Sequence, residues 1–404
     1  MKILLVSHEL SVTGAPNSLL RQAKYFLEAG HEVSVWTLSD GDLRPRYEDV
    51  GLNPVLIENS RSLIAGEFEK LARRPDFIVC NTIRTYRAVD VLQRFGIPVV
   101  WFIRETRLLD EDMWTDPGFA AVFRRFYNLY TVSEYNAEII RRYNANVRVV
   151  HNAVSDRFTG FPELGEGVRF GFIGSIMPVK GVDVLLKAFA KVKAEEPGCT
   201  LRIAGRPWTD FGRKMFAEYS LAPGVEWVGE VQGSSKDEFF ASVDVLCVPS
   251  LDETSGLTVI EGAMYGKAVI TTDCTGANYL VSGSSGRVVA AGDVEALAAA
   301  MLELVRKRRE LPELQRCSRE SYLEAGTVDV ERVAVLKMLN DNIDNPPVVG
   351  YRLGNDRPSW FFHEDRTLSG HRRFWLFGCK VFSCRGRGVY GGDGKPARKG
   401  EMRA

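Results

Sequence analysis

Two doubly wound, Rossmann-like α/β halves facing a central cleft are the fold this sequence predicts, on three observations. Short β-branched runs alternate with longer amphipathic stretches through about the first 300 of its 404 residues. The runs are nearly continuous in apolar residues, as strands of a parallel sheet covered on both faces must be. The alternation breaks once, over residues 155–167 (SDRFTGFPELGEG), and then restarts. That segment is rich in Gly, Pro and acidic residues, as a linker is.

The first half offers strands at 3–7, 33–37, 77–80, 99–103, 129–132 and 147–150. A helix is expected over 17–29, with Leu19, Leu20, Ala23, Phe26 and Leu27 on one face and Gly30 as its stop. The second half offers strands at 168–173, 200–204, 225–228, 243–248 and 268–271. Its helices are expected at 182–194, 209–219, 236–242, 257–265 and 294–309. After Glu310 the pattern weakens. One more helix is expected over 328–343, ended by Asn345-Pro346-Pro347, because proline disfavours helical geometry in the residue before it. The expected domains are therefore 1–160, 161–326, a C-terminal helix 327–344, and a basic, aromatic, Gly-rich tail 345–404 with no assignable fold. Ligands of doubly wound sheets bind at the carboxyl ends of the strands, so a cleft between the halves is the expected site.

Composition narrows the function classes. Hydrophobic residues make up 45% and charged residues 26%, which is ordinary globular usage. The longest apolar runs, such as Val99 to Ile103, fall far short of the ~20 residues of a membrane-spanning helix. The N-terminus reads as a first strand and not as a signal peptide. Seven cysteines without a CxxC pair speak against a disulfide framework or zinc site and fit a reducing cytoplasm. The net charge of zero conceals an asymmetry. Residues 345–404 hold 12 Lys+Arg against 5 Asp+Glu, leaving 40 against 47 in the body. An acidic body is not built for nucleic acid.

Four constellations carry candidate chemistry. Gly174-Ser175-Ile176-Met177-Pro178-Val179-Lys180-Gly181 lies between a strand and a helix. Glycine permits close backbone approach, the helix N-terminus supplies free N–H groups, and Lys180 adds a point charge, which together suit a diphosphate. The spacing is not that of a Walker A loop, and an ordinary βα turn with an exposed lysine satisfies the same residues. Glu253-Thr254-Ser255-Gly256-Leu257-Thr258-Val259-Ile260-Glu261 follows the strand VDVLCVP. Ser255 and Gly256 stand where a helix begins, another anion-binding turn. Glu261, about one turn in, suits a ribose diol, and Glu253 a sugar hydroxyl or a developing positive centre. A dipole-favoured acidic residue and a solvated helix glutamate are the plainer reading. The first βα turn, Ser7 to Asn17, lacks GxGxxG, which weakens a dinucleotide reading; Gly14, Ala15 and Pro16 permit close approach to a ligand. His8 there is read as structural in preference to a base. Arg104, at the end of the strand VVWFI, suits a phosphate or sugar hydroxyl, or pairs with a carboxylate.

Taken as an ordered set, these motifs resemble the retaining glycosyltransferases of family 4, which have the GT-B fold. Glu253 and Glu261 match the paired glutamates of that family, and Gly174 to Gly181 resembles its glycine–Lys-Gly loop. Ile203-Ala204-Gly205 and Trp227-Val228-Gly229 match further strand ends. His151-Asn152-Ala153-Val154 looks like the family's Pro-Asn-Gly-Val interdomain hinge, and Gly14-Ala15-Pro16 like its N-domain loop. The resemblance spans about residues 1 to 343. It implies Glu253, Lys180 and Arg104 as catalytic residues. It implies Gly14, Ala15, Gly174, Ser175, Lys180, Ser255, Gly256, Leu257 and Glu261 as the donor site. It implies a nucleotide-sugar co-substrate, no cofactor, no metal, and a glycan or lipid-linked acceptor in cell-envelope or extracellular polysaccharide synthesis. Two departures stand out: Ser175 where the family commonly has Arg, and Arg104 where it commonly has His. They motivate an alternative, a catalytically inactive nucleotide-sugar-binding or scaffold protein on the same fold.

The tail carries Trp360-Phe361-Phe362 and Phe374-Trp375-Leu376-Phe377 among arginines. Such a segment suits peripheral contact with an anionic membrane, here the inner face from the cytoplasm; a poorly specified extension is the other reading.

Overall fold

The computed structural model describes residues 1–161 and 163–344, and the backbone of four strands within the tail. In the first half, β1 (Lys2–Ser7), β2 (Glu32–Thr37), β3 (Val55–Leu56), β4 (Phe77–Asn81), β5 (Val99–Ile103), β6 (Leu129–Thr131) and β7 (Val147–Val149) form one sheet. Its order is β3-β2-β1-β4-β5-β6-β7, with every pairing parallel. β4 and β5 are buried along their whole length, which is why they read as unbroken apolar runs. Trp101 of β5 packs edge-on against Phe119, Phe123 and Phe126 beneath the sheet.

The second half repeats the plan. β8 (Arg169–Ile173), β9 (Thr200–Ala204), β10 (Val225–Gly229), β11 (Val245–Val248), β12 (Ala268–Thr272) and β13 (Gly286–Val289) form a parallel sheet in the order β10-β9-β8-β11-β12-β13. In both sheets the chain reverses its direction of travel beside the first strand, between β1 and β4 and between β8 and β11. Crossover loops diverge at such a point and leave a crevice at the carboxyl ends of the strands. The two crevices face each other across a cavity lined by residues of both halves.

Some boundaries move, for physical reasons. The first helix spans Gly14–Glu28 and begins three residues ahead of the expected Asn17. Pro16 fits a first turn, where its missing N–H goes unneeded, so Gly14 and Ala15 belong to the helix start. The strand expected from Val243 begins at Val245, because Asp244 turns aside to pair with Arg169. The segment 155–167 is no free linker: Asp156 pairs with Arg319, whose guanidinium lies 4.5 Å from the centre of the Phe158 ring.

Among the described residues beyond Glu310 there are two helices, not one. Leu311–Ala325 packs on the second half, burying Leu311, Leu314 and Tyr322. Val328–Asp344 then returns to the first half, placing Val335, Met338 and Leu339 in its core. Glu331 on this last helix, 2% exposed, receives Arg21 and the Tyr25 hydroxyl from the first helix. The outbound and returning chains lie side by side, with a Val154–Thr327 bridge, Val154 N–H donating to Gly326 O (3.2 Å) and the Tyr322 hydroxyl donating to Val154 O (3.0 Å).

In the tail, β14 (Phe362–Arg366), β15 (His371–Leu376), β16 (Cys379–Arg385) and β17 (Gly388–Gly391) form an antiparallel meander. The expected membrane contact falls on side chains outside the described residues. No helix among the described residues is long and apolar enough to cross a membrane.

Candidate active site

The two glycine loops are built by steric necessity. Gly181 begins the helix Val182–Glu195 at φ +65°, and a Cβ there would fall 2.0 Å from the Pro249 carbonyl oxygen. Gly256 begins the helix Leu257–Met264 at φ +73°, where a Cβ would press on Thr275 and Ala277 at 2.9 Å. Left-handed backbone and contact with a neighbouring loop together demand glycine at both points. The result is two helix N-termini following β8 and β11, of which the first turn of the second, Leu257 and Thr258, lines the cavity between the halves.

Side chains of the two loops meet. Lys180 Nζ donates to the Glu253 carboxylate, whose other oxygen accepts the Gly256 N–H at 3.3 Å. One carboxylate thus bridges the lysine and the second helix terminus. Glu261 sits further along that helix and receives Lys236 Nζ at 2.5 Å. Both glutamates of the pair are therefore held by a lysine.

Across the crevice, Arg104 follows β5. Its Nε donates to Asn81 Oδ1 (2.6 Å) and its Nη1 to Asn152 Oδ1 (3.2 Å), while Nη2 is enclosed with no partner. The guanidinium stacks 5.0 Å from the Phe102 ring centre. Burial, with Arg21 nearby, lowers it to about 10, so it keeps its charge at neutral pH. Asn81 also donates to the Ala15 carbonyl (3.0 Å), so Arg104 steadies the small-residue loop through an amide. Burial lifts the neighbouring Glu105 to about 6, against N–H donors from Arg104 and Ile83.

A cavity of about 370 Å³ lies between these walls. Of the residues singled out in the sequence, Gly14, Ala15 and Arg104 line it from the first half. Gly174, Ser175, Lys180, Glu253, Ser255 and Leu257 line it from the second. Gly256 and Glu261 stand outside its lining, Gly256 as the helix start and Glu261 on the flank beside Lys236. His8 also stands apart: it lies 3.5 Å from Glu9, and burial depresses its ring below the usual histidine value. His151 stacks on Tyr279 with ring centres 4.0 Å apart and donates from Nδ1 to the Val132 carbonyl, a structural arrangement.

Sequence reasoning passed over Asn152 as a functional side chain. Its amide donates to Ser255 Oγ (2.8 Å), and its carbonyl accepts from Ser18 (2.9 Å) and Arg104. It thereby links Arg104 to the second helix terminus across the crevice. Its place in the hinge-like His151-Asn152-Ala153-Val154 run was the available signal. Asp252, beside Glu253, was also passed over, since nothing in its local sequence marks it.

The chain resembles known proteins along most of this architecture. Residues 1–143 match the model of the glycosyl-transferase family 4, and residues 167–307 that of the glycosyl transferases group 1. Over 149 residues the chain is 32% identical to the phosphatidyl-myo-inositol mannosyltransferase of Mycolicibacterium smegmatis, covering 36% of this chain and 38% of that one. Over 152 residues it is 31% identical to the D-inositol 3-phosphate glycosyltransferase of Rhodococcus erythropolis, covering 35% and 34%. The matched stretches thus span well under half the length of these relatives. Among solved structures, Anabaena Alr3699/HepE in complex with UDP superposes with a TM-score of 0.73 at 16% identity, covering 84% of this chain and 100% of that one. The sucrose-phosphate synthase of Thermosynechococcus elongatus gives 0.69 at 16%, covering 85% and 99%. At such identities these structures establish the GT-B fold.

Proposed function

The chain belongs to the glycosyl transferases of family 4 and group 1, and from that premise we propose that it is a metal-independent retaining glycosyltransferase. It moves a sugar from a nucleotide-sugar donor to a hydroxyl acceptor. The observation that carries this reading is the meeting of Lys180, Glu253 and the Gly256 helix terminus at one wall of the interdomain cavity.

The difficult step is departure of the nucleoside diphosphate, whose growing charge needs preorganised donors. Lys180 and the N–H groups at Gly256 and Leu257 supply them, and the backbone at Gly174 and Ser175 admits the phosphates closely. Lys180 is already paired with Glu253, so binding exchanges one anion for another at Nζ and frees Glu253 to face the transferred sugar. Glu261, outside the cavity on the same helix, receives the ribose. Gly14 and Ala15 pack against the donor from the opposite wall, and Arg104 adds a fixed positive field there. The bond from the anomeric carbon to the diphosphate breaks as the acceptor hydroxyl attacks from the same face. The hydroxyl proton passes to the departing phosphate oxygen, so no protein base is required.

The relatives named phosphatidyl-myo-inositol mannosyltransferase and D-inositol 3-phosphate glycosyltransferase favour a polyhydroxylated acceptor; we place it in cell-envelope or extracellular polysaccharide synthesis, met at the inner face of the membrane from the cytoplasm. The test is donor consumption by purified protein over UDP-, GDP- and dTDP-sugars, without acceptor and with EDTA present. Slow release of one nucleoside diphosphate is expected. Tight binding of one donor with no release would favour the inactive scaffold reading, which Ser175 and Arg104 motivate.

A further inference from the structure

We propose that Asp252 is a positioning residue that makes the placement of Glu253 conditional on docking of the two halves. This rests on the reading of Glu253 given above. Asp252 lies between β11 and Glu253, in the second half, with a side chain 8% exposed. All three of its charged or polar partners come from the first half. Thr106 Oγ1 donates to Oδ2 (2.5 Å), the Tyr135 hydroxyl donates to Oδ1 (3.0 Å), and Arg107 Nε lies 3.5 Å from Oδ2. On the far side of Glu253, the Thr254 carbonyl accepts from Ser133 Oγ at 2.6 Å, again from the first half.

The backbone on both flanks of Glu253 is therefore fastened to the opposite half. Within its own half, Glu253 N–H donates to Cys274 O (2.9 Å) and Gly276 N–H donates to Glu253 O (2.8 Å). The carboxylate that meets Lys180 and the Gly256 N–H is thus placed by both halves at once. Burial, then the Asp252 carboxylate, push the Tyr135 phenol far above its usual value, so its hydroxyl stays a donor. When the halves part, Asp252 exchanges these partners for water and the segment 252–254 loses every anchor on the first half. Glu253 then faces the sugar with looser geometry, so turnover is lost while the crevice is open. Neither Asp252, Thr106 nor Tyr135 lines the cavity, so none need touch the donor.

The experiment compares the full chain with Asp252→Ala, Asp252→Asn, Thr106→Val and Tyr135→Phe. Hydrogen exchange, measured with no ligand added, should speed up in both 252–254 and 104–107 for Asp252→Ala and Tyr135→Phe. Donor consumption should fall about tenfold, the equivalent of one charge-assisted hydrogen bond. The dissociation constant for whichever of UDP, GDP or dTDP the wild type binds should stay within about twofold. Asp252→Asn should fall between, since an amide keeps one acceptor oxygen. Asp252→Ala combined with Tyr135→Phe should be no worse than Asp252→Ala alone. Should Asp252→Ala fail to fold, Tyr135→Phe, which keeps the ring in place, decides. Wild-type exchange, or wild-type consumption, in the folded variants overturns the proposal. A wild type that binds no nucleoside diphosphate overturns the function above instead; the exchange arm then still decides whether Asp252 couples the halves.

Discussion

Lys180 and Glu253 are 73 residues apart and meet in the crevice, yet both were legible from sequence. Each sits in a strand–glycine–helix turn, and local sterics place such a turn at the sheet's carboxyl edge wherever it occurs. Asn152 and Asp252 were not legible, because their meaning comes from partners 103 and 146 residues away, Ser255 and Thr106. Arg104 was half legible: its charge suggested a phosphate or carboxylate partner, while the structure gives it two neutral amides, Asn81 and Asn152. Two predictions belong to single side chains. Lys180→Ala should lower donor turnover by about 100-fold, as loss of one preorganised donor to a developing anion does; steady-state kinetics on the donor found in the panel checks it, and unchanged turnover removes Lys180 from the mechanism. Glu261→Ala should weaken nucleoside diphosphate binding about tenfold with kcat nearly unchanged, the value of a charge-assisted hydrogen bond made equally in ground and transition states. Calorimetry reads the first and kinetics the second, and an unaltered dissociation constant refutes the ribose role.

Elements buried on both faces announce themselves, and the others do not. β5 and β11 read directly as apolar runs. β3 has only two residues, both exposed, so nothing in its composition marks it as an edge strand. The helix Leu311–Ala325 buries a narrow apolar stripe under a charged surface, with Gln315 and Ser318 among its buried residues, and its periodicity fades accordingly. Helix packing in the first half turns on Asp90 of the helix Tyr86–Leu92, which gathers Arg61, Arg94 and Arg125 from separate segments. Burial drives this carboxyl upward, but Arg94, Arg125 and Arg61 outweigh it and hold it below its ordinary value of 3.8. Its contribution to stability is therefore complete above that ordinary value and is lost as pH falls through the lowered one. Asp90→Asn should cost about 1–2 kcal/mol, because the carboxylate is buried but its three arginine partners are partly exposed and are rehydrated when it goes. Urea unfolding at pH 7 measures this. As pH falls through the lowered value, the variant and the wild type should converge, since the wild-type carboxyl becomes protonated there.

At the scale of the molecule, the sequence placed a cleft between two halves, and the restart of the strand pattern after residue 167 carried that inference. It did not reveal that the last helix belongs to the first half. That assignment depends on Glu331, which reads as an ordinary surface glutamate until Arg21 and Tyr25 are seen closing over it. Glu331→Ala should destabilise the protein by about 3 kcal/mol, because it strands Arg21 and the Tyr25 hydroxyl together. Chemical denaturation checks this, and a change below about 0.5 kcal/mol, typical of surface sites, would place Glu331 among solvated residues.

The paired crossings at Val154 and Thr327 have a mechanical consequence. A lone connecting strand lets two bodies swivel and twist as well as bend. Two strands bridged to each other, with Tyr322 pinned to the first, resist torsion, because twisting would shear their shared hydrogen bonds. What remains is bending about one axis, the line that passes through the two crossings, perpendicular to the strands. The motion that opens the crevice is thus reduced to a single degree of freedom, and each return stroke brings Thr106 and Tyr135 back onto the same carboxylate. Distances between spin labels across the crevice should accordingly vary together along one coordinate, and independent variation of two such distances would show a looser joint.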